Sequence, residues 1–156
     1  MTTIRLAEAL AKGLALVLLA MVALSGWNVA ARYVFNAAVL WADEIAVFGL
    51  IALTWLGAIV VAAQGRDLRM DLLVAALPVR WQRPIALVQM LIVAGTCGWA
   101  AWLSYGYVVR VWRIGMTSDT ARVPIWPVHA LVPVSLAALC LIALWRAFRL
   151  LTGPRP

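Results

Sequence analysis

An all-α integral membrane fold with four transmembrane helices is predicted by three observations. Four long apolar stretches carry no charge, basic residues crowd the segments between them, and most tryptophans fall near their ends. The stretches are Gly13 to Ala31, Ile45 to Gly65, Pro84 to Val109 and Val123 to Trp145. As helices rising about 1.5 Å per residue, each can cross a hydrocarbon core of roughly 30 Å. Backbone polar groups in lipid must be satisfied within their own segment, so helix is the state these stretches adopt. With 66% hydrophobic and 12% charged residues, little remains for a soluble catalytic domain. The chain is therefore expected to form one helical membrane domain over residues 1–156.

The first stretch follows Arg5 and Lys12 and resembles a secretory leader in its flanks, but it exceeds a usual leader core and three more stretches follow. It is read as a span. The second ends before a connection, Arg66 to Arg83, containing Asp67-Leu68-Arg69-Met70-Asp71 and then Pro78, where Asp67 could cap a short interfacial helix that Pro78 closes. The third is the longest, and tilt or emergence must absorb the excess. Its Ala94 and Gly98 permit close helix approach, either within the protein or to a partner. In the fourth, Pro124 and Pro127 suit a helix start, whereas Pro133 should kink the helix or free a carbonyl.

The net charge of +7 has an orientational explanation. With the N-terminus in the cytoplasm, the inside segments hold Arg5, Lys12, Arg66, Arg69, Arg80, Arg83, Arg146, Arg149 and Arg155. The outside connections hold only Arg32, Arg110, Arg113 and Arg122. This asymmetry places both termini in the cytoplasm. The basic residues flank spans rather than a soluble face, so nucleic acid is not an expected partner, whereas membrane lipid is.

Catalytic and ion-coupling signals are missing. No Asp, Glu, Lys or Arg lies in the middle of any stretch, although transport and proton sites accept that expense. His129 is alone, so a bis-histidine haem site has no second ligand, and it is read as a neutral residue bonded to a neighbour. Cys97 and Cys140 lie in apolar surroundings and read as buried small residues. No enzyme, cofactor or metal is expected.

Polar residues concentrate at the ends. Arg32, Tyr33, Phe35 and Asn36, then Trp41, Asp43 and Glu44, place a cation, two carboxylates and three aromatics in the first outside connection. These either anchor the interface or form a specific arrangement in which Arg32 pairs with Glu44 to pin the first two spans or meet a partner.

Taken together, Asn28-Val29-Ala30-Ala31-Arg32-Tyr33-Val34-Phe35-Asn36 leading to Trp41 and Glu44, Gly57 late in span two, Arg69-Met70-Asp71, and Pro124-Ile125-Trp126 with Pro133 resemble a known family. It is the small, DctQ-like membrane subunit of tripartite ATP-independent periplasmic (TRAP) transporters. The resemblance covers essentially the whole chain. One departure is Asp67, where the family often has histidine. The resemblance implies a bacterial inner-membrane subunit that scaffolds a large multi-span permease and cooperates with a periplasmic substrate-binding protein. It also implies import of organic acids on an ion gradient, with sodium as the expected ion. On it, Asn28, Arg32, Tyr33, Phe35, Asn36, Trp41, Glu44, Gly57, Arg69, Asp71, Pro124 and Trp126 are candidate structural or subunit-interface residues. The competing expectation is a standalone four-span anchor or assembly protein with no transport role, and neighbouring genes would separate the two.

Overall fold

The computed structural model describes residues 2–37, 39–64 and 78–152. Four helices account for nearly all of them: α1 (Thr2–Val34), α2 (Leu40–Gln64), α3 (Val79–Ile114) and α4 (Trp126–Thr152). All four are long and apolar enough to cross a membrane, over Glu8–Val34, Leu40–Gln64, Arg80–Ile114 and Trp126–Thr152. The four-span, all-α fold read from the sequence is therefore present. Helices α1 and α3 extend past their apolar stretches at both ends, and α2 and α4 at one end, because hydropathy marks only the lipid-crossing part, whereas backbone hydrogen bonding continues into the polar ends.

Span four is the exception at its start. Val123 to Ile125 are not helical: Ser118 donates its N–H to the Val123 carbonyl at 2.9 Å and Ile125 donates to Met116 at 3.2 Å. Thr117 and Pro124 form an antiparallel bridge. Pro124 cannot donate, but a bridge position leaves it no such duty. The helix then opens at Trp126, and Pro127 sits in the first turn, where a missing N–H costs nothing. Pro133 lies buried inside α4 and gives the His129 carbonyl no partner four residues on.

Helix contacts run from α1 to α2, from α2 to α4 and from α4 to α3, with no other pair touching among the described residues. The four helices thus stand in the order α1–α2–α4–α3, and the α1–α2 half meets the α3–α4 half only through α2 and α4. Among the described residues most of the buried apolar side chains are alanines: Ala31, Ala42, Ala62, Ala94, Ala143 and Ala147. Small residues at the seams let backbones approach, which is how spans associate when lipid removes the hydrophobic drive. Ala94 is 5% exposed, and a Cβ on Gly98 would lie 3.6 Å from Cys140 Sγ. The Ala94–Gly98 pair therefore packs α3 on α4 within the chain.

Gly49 marks the α1–α2 seam. A Cβ there would stand 2.6 Å from Met21 Sδ. Gly49→Ala should lower thermal stability in detergent by less than about 1 kcal/mol, because a methionine side chain can swing aside, and Met21→Ala should remove the penalty. Gly49→Leu should cost about 1 to 3 kcal/mol by overpacking the seam.

The α1–α2 and α3–α4 connections share one end of the bundle, the connection end, and α1 begins and α4 finishes at the opposite, terminus end. Helix α3 closes at the connection end with Gly115 at φ 67°. The Gly115 N–H reaches the Trp112 carbonyl at 3.1 Å and the Met116 N–H the Val111 carbonyl at 3.3 Å, a Schellman closure that needs a left-handed residue at Gly115.

Candidate functional site

Asn28 and Arg32 are one turn apart on α1 and so point the same way. They face the first turn of α2. Asn28, 2% exposed, donates Nδ2–H to Asp43 Oδ1 at 2.8 Å and accepts the Val39 N–H on its own Oδ1 at 3.0 Å. Arg32 Nη2 donates to the other Asp43 oxygen at 2.9 Å. Asn36 makes the intervening turn possible with φ 49°, a left-handed conformation that asparagine tolerates better than most residues. The Ala37 N–H then returns to the Ala31 carbonyl at 3.0 Å. Asp43 in the first turn of α2 also complements the positive end of that helix's dipole.

The ion pair therefore joins Arg32 to Asp43, not to Glu44 as expected from the sequence. Consecutive helical residues diverge by about 100°, so only one of the two carboxylates can face α1. Glu44 turns to the other half of the protein. Its Oε1 accepts the Thr120 N–H at 3.0 Å and its Oε2 the Ala121 N–H at 2.9 Å, while Thr120 Oγ1–H reaches the Leu40 carbonyl at 3.3 Å. One carboxylate thus closes the α1–α2 turn and its neighbour ties the α3–α4 connection to the start of α2.

The structure brings Asn28, Arg32, Asn36 and Glu44 together at the connection end, with Pro124 in the bridge of the connection that Glu44 holds. Tyr33 (78% exposed) and Phe35 (65%) face outward there, Trp41 is exposed beside them, and Phe35 lies 6.4 Å from the Trp27 ring. These serve as aromatic surface at the helix ends. Trp126 opens α4. Gly57 stands apart on α2, with open space where a Cβ would be. Arg69, Asp71 and the Asp67 departure lie outside the described residues, as does the interfacial helix expected there.

Sequence reasoning missed a second cluster at the terminus end. Arg83 on α3 donates Nε–H to the Leu150 carbonyl at 2.8 Å, bonds that carbonyl again through Nη2, and reaches Leu151 O at 3.5 Å. Arg146 on α4 donates to the Ala62 carbonyl of α2. Both guanidinium groups satisfy carbonyls that a helix end leaves open, and both favour the negative dipole end. Arg149 lies 5.1 Å over the Trp145 ring. The only signal in the sequence was the basic crowding already credited to membrane orientation. His129, as expected, is bonded to a neighbour: its Nδ1 lies 2.9 Å from the Ile125 carbonyl, and its ring is 5.2 Å from that of Tyr107.

In these clusters Glu44, Arg83 and Arg146 engage backbone, Arg32 and Asp43 engage each other, Arg149 lies over the Trp145 ring, and among the described residues no group of three His, Cys, Asp or Glu could hold a metal. Over residues 21–153 the sequence matches the family described as tripartite ATP-independent periplasmic transporters, DctQ component. The chain belongs to the DctQ family. No curated protein matches it. DctQ proteins are transporter components, not an enzyme family, so the connection-end network belongs to a multi-pass membrane subunit that associates with other TRAP components.

Proposed function

We propose that this chain is the small inner-membrane subunit of a TRAP transporter. It scaffolds a large permease subunit that carries the substrate and ion sites. Together with a periplasmic binding protein, the pair imports an organic acid on a sodium gradient. The observation that carries this reading is the DctQ match across residues 21–153. Span interiors without a charged residue support it, because such a chain offers no site for an ion or a carboxylate substrate. Its termini lie in the cytoplasm, in keeping with the basic asymmetry between connections.

The chain reconstituted alone in liposomes should show no sodium-driven uptake of an organic acid, whereas co-reconstitution with the large subunit and the binding protein should restore it. Uptake by the chain alone, or full uptake by the other two components without it, would reverse the assignment. Reporter fusions test the orientation. A cytoplasm-active reporter should work at Pro156 and fail between Arg113 and Arg122.

A further inference from the structure

Among the described residues the backbone of α3 comes close only to that of α4, and the flank beside that contact carries an unusual set of residues, with Trp102 at its edge lining the groove between α3 and α4. Gly95, Trp99, Trp102, Gly106, Arg110 and Arg113 follow one another at steps of 4, 3, 4, 4 and 3 and so share one face. Trp99 is 69% exposed and Trp102 75%, while a Cβ on Gly95 or Gly106 would meet nothing within 4 Å. The face is two large projections flanked by two gaps.

Its depth is what calls for an explanation. At about 1.5 Å per residue, Trp102 lies about 12 Å and Trp99 about 17 Å inward from Arg110, well inside a hydrocarbon layer of roughly 30 Å. Tryptophan favours the headgroup level, where its ring is in apolar surroundings and its N–H is wet. Here neither indole N–H has an acceptor among the described residues, and lipid tails supply none. At the connection end of the same face, Arg110 and Arg113 are exposed and form no ion pair among the described residues.

We infer that this face of α3 receives a transmembrane helix of the transporter's other membrane subunit. That helix presents hydrogen-bond acceptors to Trp99 and Trp102 and negative charge to Arg110 and Arg113. The inference rests on the subunit role proposed above. Acyl chains fail on the indole donors. A second copy of this chain, paired in parallel about a two-fold axis, would set donor against donor and arginine against arginine. A different subunit with complementary groups meets both demands, and its side chains fill the gaps at Gly95 and Gly106 while the indoles anchor the centre.

The test places a benzoylphenylalanine photocrosslinker at Trp99 or Trp102, and for comparison at Leu19 or Val22 on the exposed flank of α1. The chain is co-produced with the large membrane subunit of its transporter, and adducts are identified by mass. Adducts to the large subunit from the α3 positions and none from the α1 positions support the inference. Adducts from α1 alone, to a second copy, or only to lipid from α3, overturn it and leave the subunit role standing. Failure of the unmodified chain to copurify with the large subunit overturns both. A Trp99→Phe, Trp102→Phe double variant keeps the rings and removes the donors. It should copurify severalfold less large subunit than wild type while the chain's own unfolding temperature is unchanged, and wild-type recovery would overturn the role given to the indoles.

Discussion

Asn28→Ala should destabilise the chain in mild detergent by about 1 to 3 kcal/mol, the range for stranding buried polar groups. Asn28 is 2% exposed and is the shared partner of the Asp43 carboxylate and the Val39 N–H, so its loss leaves the part-buried Val39 N–H without its acceptor, empties a buried site at the α1–α2 seam and leaves Asp43 to Arg32 and water. Arg32→Ala should do less, about 0 to 1 kcal/mol, because the Arg32–Asp43 pair is partly solvated, at 46% and 64% side-chain exposure. Asn28→Asp preserves size but sets one carboxylate against another, and should be at least as harmful as alanine. Adding Asp43→Asn to it restores a donor–acceptor contact and should recover part of the loss. Unfolding monitored by tryptophan fluorescence in a denaturing-detergent titration ranks these variants. Equal losses for Asn28→Ala and Arg32→Ala would show that the buried amide has no special part in the turn. In double-mutant cycles, Arg32 should couple to Asp43 and be additive with Glu44.

That ranking could not have been drawn from the sequence, and the reason is geometric. Four spans were legible because lipid forces apolar length into helix, and the cluster at Arg32 to Glu44 was visible because polar residues beside a span are few. What composition could not supply was direction. Asp43 and Glu44 are chemically similar neighbours, and only the azimuth of α2 about its axis gives one to α1 and the other to the Thr120–Ala121 backbone. The same holds for Arg83 and Arg146. Their positions fitted the orientation rule, and nothing in the sequence revealed that they reach carbonyls on neighbouring helices. The helix order was equally hidden, since short connections constrain only sequential neighbours, whereas α4 packs between α2 and α3.

The helix order also makes the junction between the two halves the place where polar contacts matter most, and the largest change of shape is expected from breaking both of its pins at once. Among the described helices, α2 and α4 alone pack across from the α1–α2 half to the α3–α4 half. The buried residues of α2 are Ala42 and Ala62, those of α4 include Ala143 and Ala147, and Ser135, fully buried on α4, has an oxygen with no hydrogen-bond partner. Packing there supplies contact but little that fixes register. Register is set at the ends: Glu44 holds the backbone of Thr120 and Ala121 at the connection end, and Arg146 holds the Ala62 carbonyl at the terminus end. Glu44→Ala removes both carboxylate acceptors, so the Thr120 and Ala121 amides should exchange hydrogen faster while those of central α4 are unaffected. Arg146→Met retains an apolar stem but leaves the carbonyl without this donor, at about 1 to 2 kcal/mol for a partly buried charged contact at a helix end. Each single variant leaves the other pin in place and should keep the native spacing. In the double variant, spin labels on α1 and α3 should give a distance distribution clearly broader than wild type, because neither end then ties the two halves in register. A distribution as narrow as wild type would mean that small-residue packing between α2 and α4 is enough to hold the halves in register.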